Sequence, residues 1–139
     1  MQQKTLAIIK PDGVKRGLVG EILTRIEKEG FRIVAMKMVR LSRAQAAAFY
    51  AVHKEKDFFE GLVEFMSSGP VVAAVLEAQD AITRYRALMG ATDPEMAEAG
   101  TIRKALATDG RKNVVHGSDS PETAAKEIGF FFNAFELTI

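Results

Sequence analysis

The chain has 139 residues, 19 basic against 18 acidic for a formal charge of +1, with 47% hydrophobic residues and no cysteine. That length fits one domain over 1–139 that buries its own core, and the balanced charge gives no footing for a dedicated nucleic-acid or membrane-surface binder. Without cysteine there is neither a disulfide framework nor a thiol-ligated metal, which suits a reducing cytoplasm. The apolar run near the N-terminus is broken by Lys10-Pro11-Asp12, too early for a signal peptide or a transmembrane helix, so a soluble, unprocessed protein is expected.

Thr5 to Ile9 is a short apolar run with β-branched residues, stopped by Pro11 and Gly13, and predicts a central strand buried on both faces; taken alone, Lys10-Pro11-Asp12-Gly13 reads as the strand's end followed by a Pro-Asp-Gly turn. Between Gly20 and Gly30, Ile22, Leu23 and Ile26 share one side, which predicts an amphipathic helix that Gly30 ends. Phe31 to Val39 predicts a second strand. Ser42 with Gln45 three residues on is a capping-box pattern that opens a helix through Tyr50, and a further helix is expected from about Phe58 to Met66. Pro70 to Leu76 predicts a third buried strand, and Asp80 is expected to cap a helix that Gly90 ends.

From Ala91 to Lys112 the pattern weakens into a long polar connection with a helical turn or two around Thr101 to Ala107, and connections this long in compact domains are usually functional. Val114-Val115 predicts a short strand leading to His116. Ser120 as N-cap and Pro121 at the first helical position start a last helix that ends near Phe132. The order β-α-β-α-α-β-α-loop-β-α implies the α+β class: an antiparallel four-stranded sheet with helices on one face, the split βαβ or ferredoxin-like plan.

The segment Asn113-Val-Val-His116-Gly-Ser118-Asp-Ser120 sets a histidine beside a glycine in a polar turn after β-branched residues. Imidazole is nucleophilic near neutral pH, and Gly117 is expected to spare an approaching group the crowding of a side chain. A lone histidine in a turn is more often structural, so the rest of the chain has to decide. Neither a Walker A pattern, nor G-x-G-x-x-G, nor D-F-G is present, so the familiar cradles for ATP phosphates are missing.

This segment, together with Lys10-Pro11-Asp12-Gly13, Tyr50 with His53 and Phe58, Thr92-Asp93-Pro94 and Gly100-Thr-Ile-Arg103, resembles the nucleoside diphosphate kinases over essentially the whole chain. The resemblance implies a ping-pong enzyme that moves the γ-phosphate of a nucleoside triphosphate, mainly ATP, to a nucleoside diphosphate through a phosphohistidine on Nδ1 of His116. It implies that Lys10 contacts the transferred phosphate and the ribose, that Tyr50 lies beside His116 with His53 nearby, and that Phe58 stacks on the base. Stacking with few contacts to the base edge would accept any nucleobase. Arg86, Thr92 and Arg103 would form the phosphate clamp, Asn113 would bond the ribose, and Glu127, supported by Ser118, would orient His116. Mg²⁺ would arrive on the nucleotide phosphates without a dedicated protein ligand.

Each of these residues also has a plainer reading. Tyr50 and Phe58 fit core packing, an isolated arginine is usually solvated, and Glu127 fits an ordinary helix surface. After Arg103 the family often carries Gly-Asp-Phe, where this chain has Lys104-Ala105-Leu106, a change expected to alter loop packing alone. The sequence ends soon after Phe135, without the longer tail of many hexameric members, so a homo-oligomer built from dimers is expected, a tetramer ahead of a hexamer. Three other classes stay open: a nucleotide-binding regulatory module, a nucleic-acid binder, and a phosphohistidine carrier that phosphorylates proteins.

Overall fold

The computed structural model describes residues 2–137. Four strands, β1 (Gln2–Ile9), β2 (Arg32–Arg40), β3 (Pro70–Gln79) and β4 (Val115–Gly117), form one sheet in the order β2-β3-β1-β4. Every neighbouring pair is antiparallel. Among the described residues seven α-helices accompany them, six between strands and the last after β4: α1 (Pro11–Lys15), α2 (Val19–Lys28), α3 (Arg43–Phe49), α4 (Phe59–Met66), α5 (Ala81–Met89), α6 (Ile102–Leu106) and α7 (Pro121–Phe131). The four-stranded antiparallel α+β plan expected from the element order is the one found.

The helices cover both faces of the sheet, where one face was expected. On one side Ala7, Ile9, Val72, Ala74 and Leu76 pack with Ile22 and Ile26 of α2 and with Tyr85 and Met89 of α5. On the other, Leu6, Ile8, Val71, Ala73 and Val75 pack with Ala46 of α3, Val63 and Met66 of α4, and Ile128 and Phe131 of α7. Alternate residues of β1 and β3 thus enter opposite cores. Their uninterrupted apolar runs require that arrangement, since a strand with only one covered face alternates apolar with polar. Strand β2, at the sheet edge, alternates in exposure and not in polarity, leaving Met36 and Met38 exposed.

Several local signals act as the chemistry dictates. Ser42 Oγ accepts from the Gln45 N–H at 3.0 Å while Gln45 Oε1 accepts from the Ser42 N–H at 2.9 Å, closing the capping box of α3. Ser120 Oγ accepts from the Thr123 N–H, and Pro121 opens α7.

Others differ. Lys10-Pro11-Asp12-Gly13 does not make a turn, because Pro11 at the first helical position starts α1. Asp80 takes a left-handed conformation (φ 50°) and its side chain caps nothing; instead Gln3 Oε1 accepts from the Ile82 N–H at 2.9 Å, a tertiary cap. Strands β1 and β3 run past their apolar stretches because pairing continues to Gln2 opposite Gln79. His116 lies within β4, opposite Ile8, and not in a turn beyond it. After α7 a 3₁₀ turn spans Ala134–Leu137, which the sequence pattern did not indicate.

Candidate active site

Between α3, α4, the 108–113 segment and β4 opens a cleft of about 960 Å³. Of the eleven residues singled out from the sequence, Lys10, Tyr50, His53, Phe58, Arg86, Thr92, Arg103, Asn113, His116 and Glu127 line it. Ser118 lies behind, buried under Glu127.

His116 is fixed from one side. Its Nε2 is 2.9 Å from Glu127 Oε1, and the same oxygen accepts from Ser118 Oγ at 2.8 Å. Ser118 Oγ is in turn held by the Leu6 N–H at 3.3 Å. Strand β4 carries the histidine and the serine follows it directly, while α7 brings the carboxylate eleven residues further on. A neutral ring whose Nε2 carries the proton donated to Glu127 keeps its lone pair on Nδ1. Phe49 and Tyr50 meet the ring edge-on at 5.5 and 6.2 Å between centroids, limiting its rotation. Glycine at 117, on the cleft wall beside His116, has a packing reason as well. A Cβ there would lie 2.7 Å from Tyr85 Cδ2 and 2.9 Å from Met89 Cε, so the glycine also lets α5 approach the strand.

The backbone ahead of His116 is strained. Val114, fully buried and β-branched, has φ +62°, a conformation that costs such a residue about 1–3 kcal/mol. It is held by Asp12 Oδ2, which accepts from the Val114 N–H at 3.2 Å, and by the Lys10 N–H, which donates to the Val114 carbonyl at 2.8 Å. Helix α1 therefore locks the segment that presents Asn113 and His116. The sequence reading gave Asp12 no part in this. Burial pushes its carboxyl up from the usual range, opposed by the backbone N–H of Gly13 and the charge of Lys10.

The cations are mostly engaged. Lys10 Nζ donates to Asn113 Oδ1 at 2.8 Å inside the protein. Burial, with the charge of Arg103, brings its pKa down to about 8 against the pull of Asp12. Asn113 Nδ2 donates to the Gly110 carbonyl at 3.0 Å. Arg103, buried, donates to three carbonyls: Val115 at 2.7 Å, Gly90 at 3.1 Å and Asn113 at 3.4 Å. It braces the strand carrying His116 as well as facing the cleft. Arg86 makes one long contact, 3.5 Å to the Gly117 carbonyl.

Two polar atoms on the cleft wall, Tyr50 OH and His53 Nδ1, are buried without a hydrogen-bond partner among the described residues. Burial pushes the Tyr50 phenol up, with the Glu127 charge adding to it, so the hydroxyl stays protonated and able to donate. The rings of Tyr50, His53 and Phe58 follow one another away from His116, with centroids 6.4 and 5.5 Å apart, and Phe58 at the far end is half exposed. A histidine ring held at one nitrogen by a carboxylate, the side chains of Lys10, Arg86 and Arg103, and the exposed ring of Phe58 thus share one cleft. Phe49, Leu62, Asp109, Arg111, Asp119 and Thr123 also line it and were not singled out; the Asp109-Gly110 turn signal inside the long polar connection was the one available clue.

A family model described as nucleoside diphosphate kinase matches residues 3–137. The nucleoside diphosphate kinase of Desulfosudis oleivorans is 63% identical over 135 residues, 97% of either chain, and that of Desulforapulum autotrophicum is 58% identical over 97% of this chain and 98% of its own. Among solved structures, the Aquifex aeolicus nucleoside diphosphate kinase superposes with a TM-score of 0.97 at 50% identity, covering 99% of this chain and all of its own. The Halobacterium salinarum nucleoside diphosphate kinase, in complex with CDP, gives 0.95 at 44% identity, covering all of this chain and 93% of its own. The chain belongs to the nucleoside diphosphate kinase family, a family of phosphotransferases.

Proposed function

We propose that this chain, one domain over 1–139, transfers the γ-phosphate of a nucleoside triphosphate, ATP chief among them, to nucleoside diphosphates through a phosphohistidine at His116, and so maintains nucleoside triphosphate pools. The observation that carries the reading is the contact between His116 Nε2 and Glu127 Oε1 at 2.9 Å, which leaves Nδ1 as the free nucleophile. In the first half-reaction the Nδ1 lone pair attacks the γ-phosphorus, an N–P bond forms, the bridging P–O bond breaks and the diphosphate leaves. In the second, an oxygen of another diphosphate attacks the same phosphorus and the N–P bond breaks. Glu127 steadies the charge the ring gains, acting as a positioning residue with Ser118 behind it.

Lys10, Arg86, Thr92 and Arg103 bind the phosphates, Tyr50 OH and His53 Nδ1 supply the unpartnered polar atoms of the wall, Asn113 with Lys10 meets the ribose, and Phe58 stacks on the base. Magnesium enters as part of the nucleotide substrate, keeping several of its own waters. Diphosphates of the class bound by the Halobacterium salinarum protein are the proposed acceptors. Among the described residues no helix is long and apolar enough to cross a membrane. The proposed setting is the cytoplasm, and the proposed assembly a homo-oligomer built from dimers, a tetramer ahead of a hexamer.

The test is intact mass after brief exposure to ATP and Mg²⁺ and again after GDP, with His116→Ala alongside. One acid-labile phosphoryl group is expected on the native chain, absent from the variant and lost as GTP forms. A phosphoryl group that GDP does not remove would favour a carrier with another acceptor, and none at all despite nucleotide binding would favour a regulatory module.

A further inference from the structure

Gly61 sits inside α4, where glycine costs about 1 kcal/mol relative to alanine, so its presence calls for a local reason. Arg111 supplies one. A Cβ built on Gly61 would lie 2.5 Å from Arg111 Nη1, 2.7 Å from Cζ and 2.7 Å from Nη2. Three near-equal distances lay the guanidinium flat on the helix where a side chain would otherwise begin.

The other end of Arg111 is fixed as well. Asp109 Oδ1 accepts from the N–H groups of Arg111 and Lys112, each at 2.8 Å, and the Thr108 N–H donates to the Lys112 carbonyl at 2.8 Å. Among the described residues no carboxylate or carbonyl takes a hydrogen bond from the guanidinium, so its donors are unspent, in contrast to those of Arg103. Arg111 lines the same cleft as Phe58, three residues before Gly61, and Leu62, one residue after it.

We infer that Arg111 is a base-contacting specificity residue, its guanidinium seated on Gly61 and its free donors turned to the edge of a base stacked at Phe58. The inference rests on the reading of Phe58 as the base platform. Guanine offers a guanidinium two adjacent acceptors, O6 and N7, whereas adenine sets an amino donor at the first of these positions. The site therefore prefers keto bases to amino bases, guanine over adenine in the purine pair.

The experiment is calorimetric titration of the unphosphorylated full chain with GDP and with ADP, for the native protein, Arg111→Ala and Gly61→Ala. The native chain should bind GDP about fivefold to tenfold more tightly than ADP, the lower end of what one such paired contact discriminates. Both variants should bring that ratio close to one. Gly61→Ala keeps the arginine, displaces only the far end of a flexible side chain and favours the helix, so it folds if the native chain does. A native ratio near one in a protein that transfers phosphate overturns the inference alone, as does a ratio that survives in either variant. A native chain that binds neither nucleotide overturns the underlying nucleotide-site reading and the inference with it.

Discussion

Replacing Glu127 tests whether the carboxylate works through His116. Its Oε1 receives both the ring Nε2 contact at 2.9 Å and the Ser118 hydroxyl at 2.8 Å, with the His116 and Glu127 side chains 16% and 19% exposed. Screening at that depth is modest, and a hydrogen bond to a charged group is worth about 1.5–3 kcal/mol. On the proposed mechanism the ring gains positive charge as the N–P bond forms, so most of that sum should fall on the barrier. With about 1.4 kcal/mol per decade of rate, Glu127→Ala should slow phosphorylation by roughly 10- to 100-fold. Glu127→Gln keeps an oxygen that accepts from both Nε2 and Ser118 while removing the charge, so it should recover part of the loss, to about tenfold. The assay is single-turnover quench-flow with labelled ATP, with KM measured separately. The expected signature is a fall in the transfer rate at nearly unchanged KM, graded Ala below Gln below native. Native rates in both variants, or a loss confined to KM, would refute the assignment of Glu127 to the ring.

Lys10, with a pKa near 8 in place of 10.5, loses its charge as pH rises through about 8, so the affinity of the free protein for ADP should fall above that pH. Lys10→Met should bind weakly with no such limb, and a flat native profile from pH 7 to 9.5 would contradict this. For stability the sign is opposite. Between about 8 and 10.5 the unfolded lysine holds more proton than the folded one, so stability should rise with pH across that window, as urea titrations would read. Arg103→Ala should lose roughly 2–4 kcal/mol of transfer in kcat/KM. It should also lower the urea midpoint because three carbonyls lose their donor; a midpoint and kinetics both unchanged would remove it as brace and as clamp. Gly117→Ala should destabilise by about 1–3 kcal/mol through overlap with Tyr85 and Met89, and an unmoved midpoint would contradict that.

The elements readable in the sequence are those whose signals are local. Ser42 with Gln45, and Ser120 with Pro121, announce helix starts whose partners lie within three residues, and the runs in β1 and β3 are long enough to stand out. Those same runs already implied cover on both faces, and placing the helices on one face overlooked it. Helix α1 is too short for any periodicity, and Pro-Asp-Gly turn chemistry points away from it. Asp80 fails as a cap because Gln3, on a strand distant in sequence, takes the role. At the site, residue types and motif spacing brought the cleft-lining set into view through the family resemblance. What stayed hidden were pairings made by the fold: Asp12 under Val114, Arg103 across three carbonyls, Gly117 against Tyr85, and Arg111 on Gly61. Each joins positions that no period or spacing relates.

The most direct test of the account is to locate the phosphorus on the ring. Chain labelled with ¹⁵N-histidine, treated with ATP and Mg²⁺, would be examined by ³¹P–¹⁵N correlation spectroscopy before and after adding GDP. One phosphoramidate on Nδ1 of His116 that vanishes with GDP is the predicted result, since Nε2 is held at 2.9 Å from Glu127. Phosphorus on Nε2, on His53, or on no histidine would contradict it.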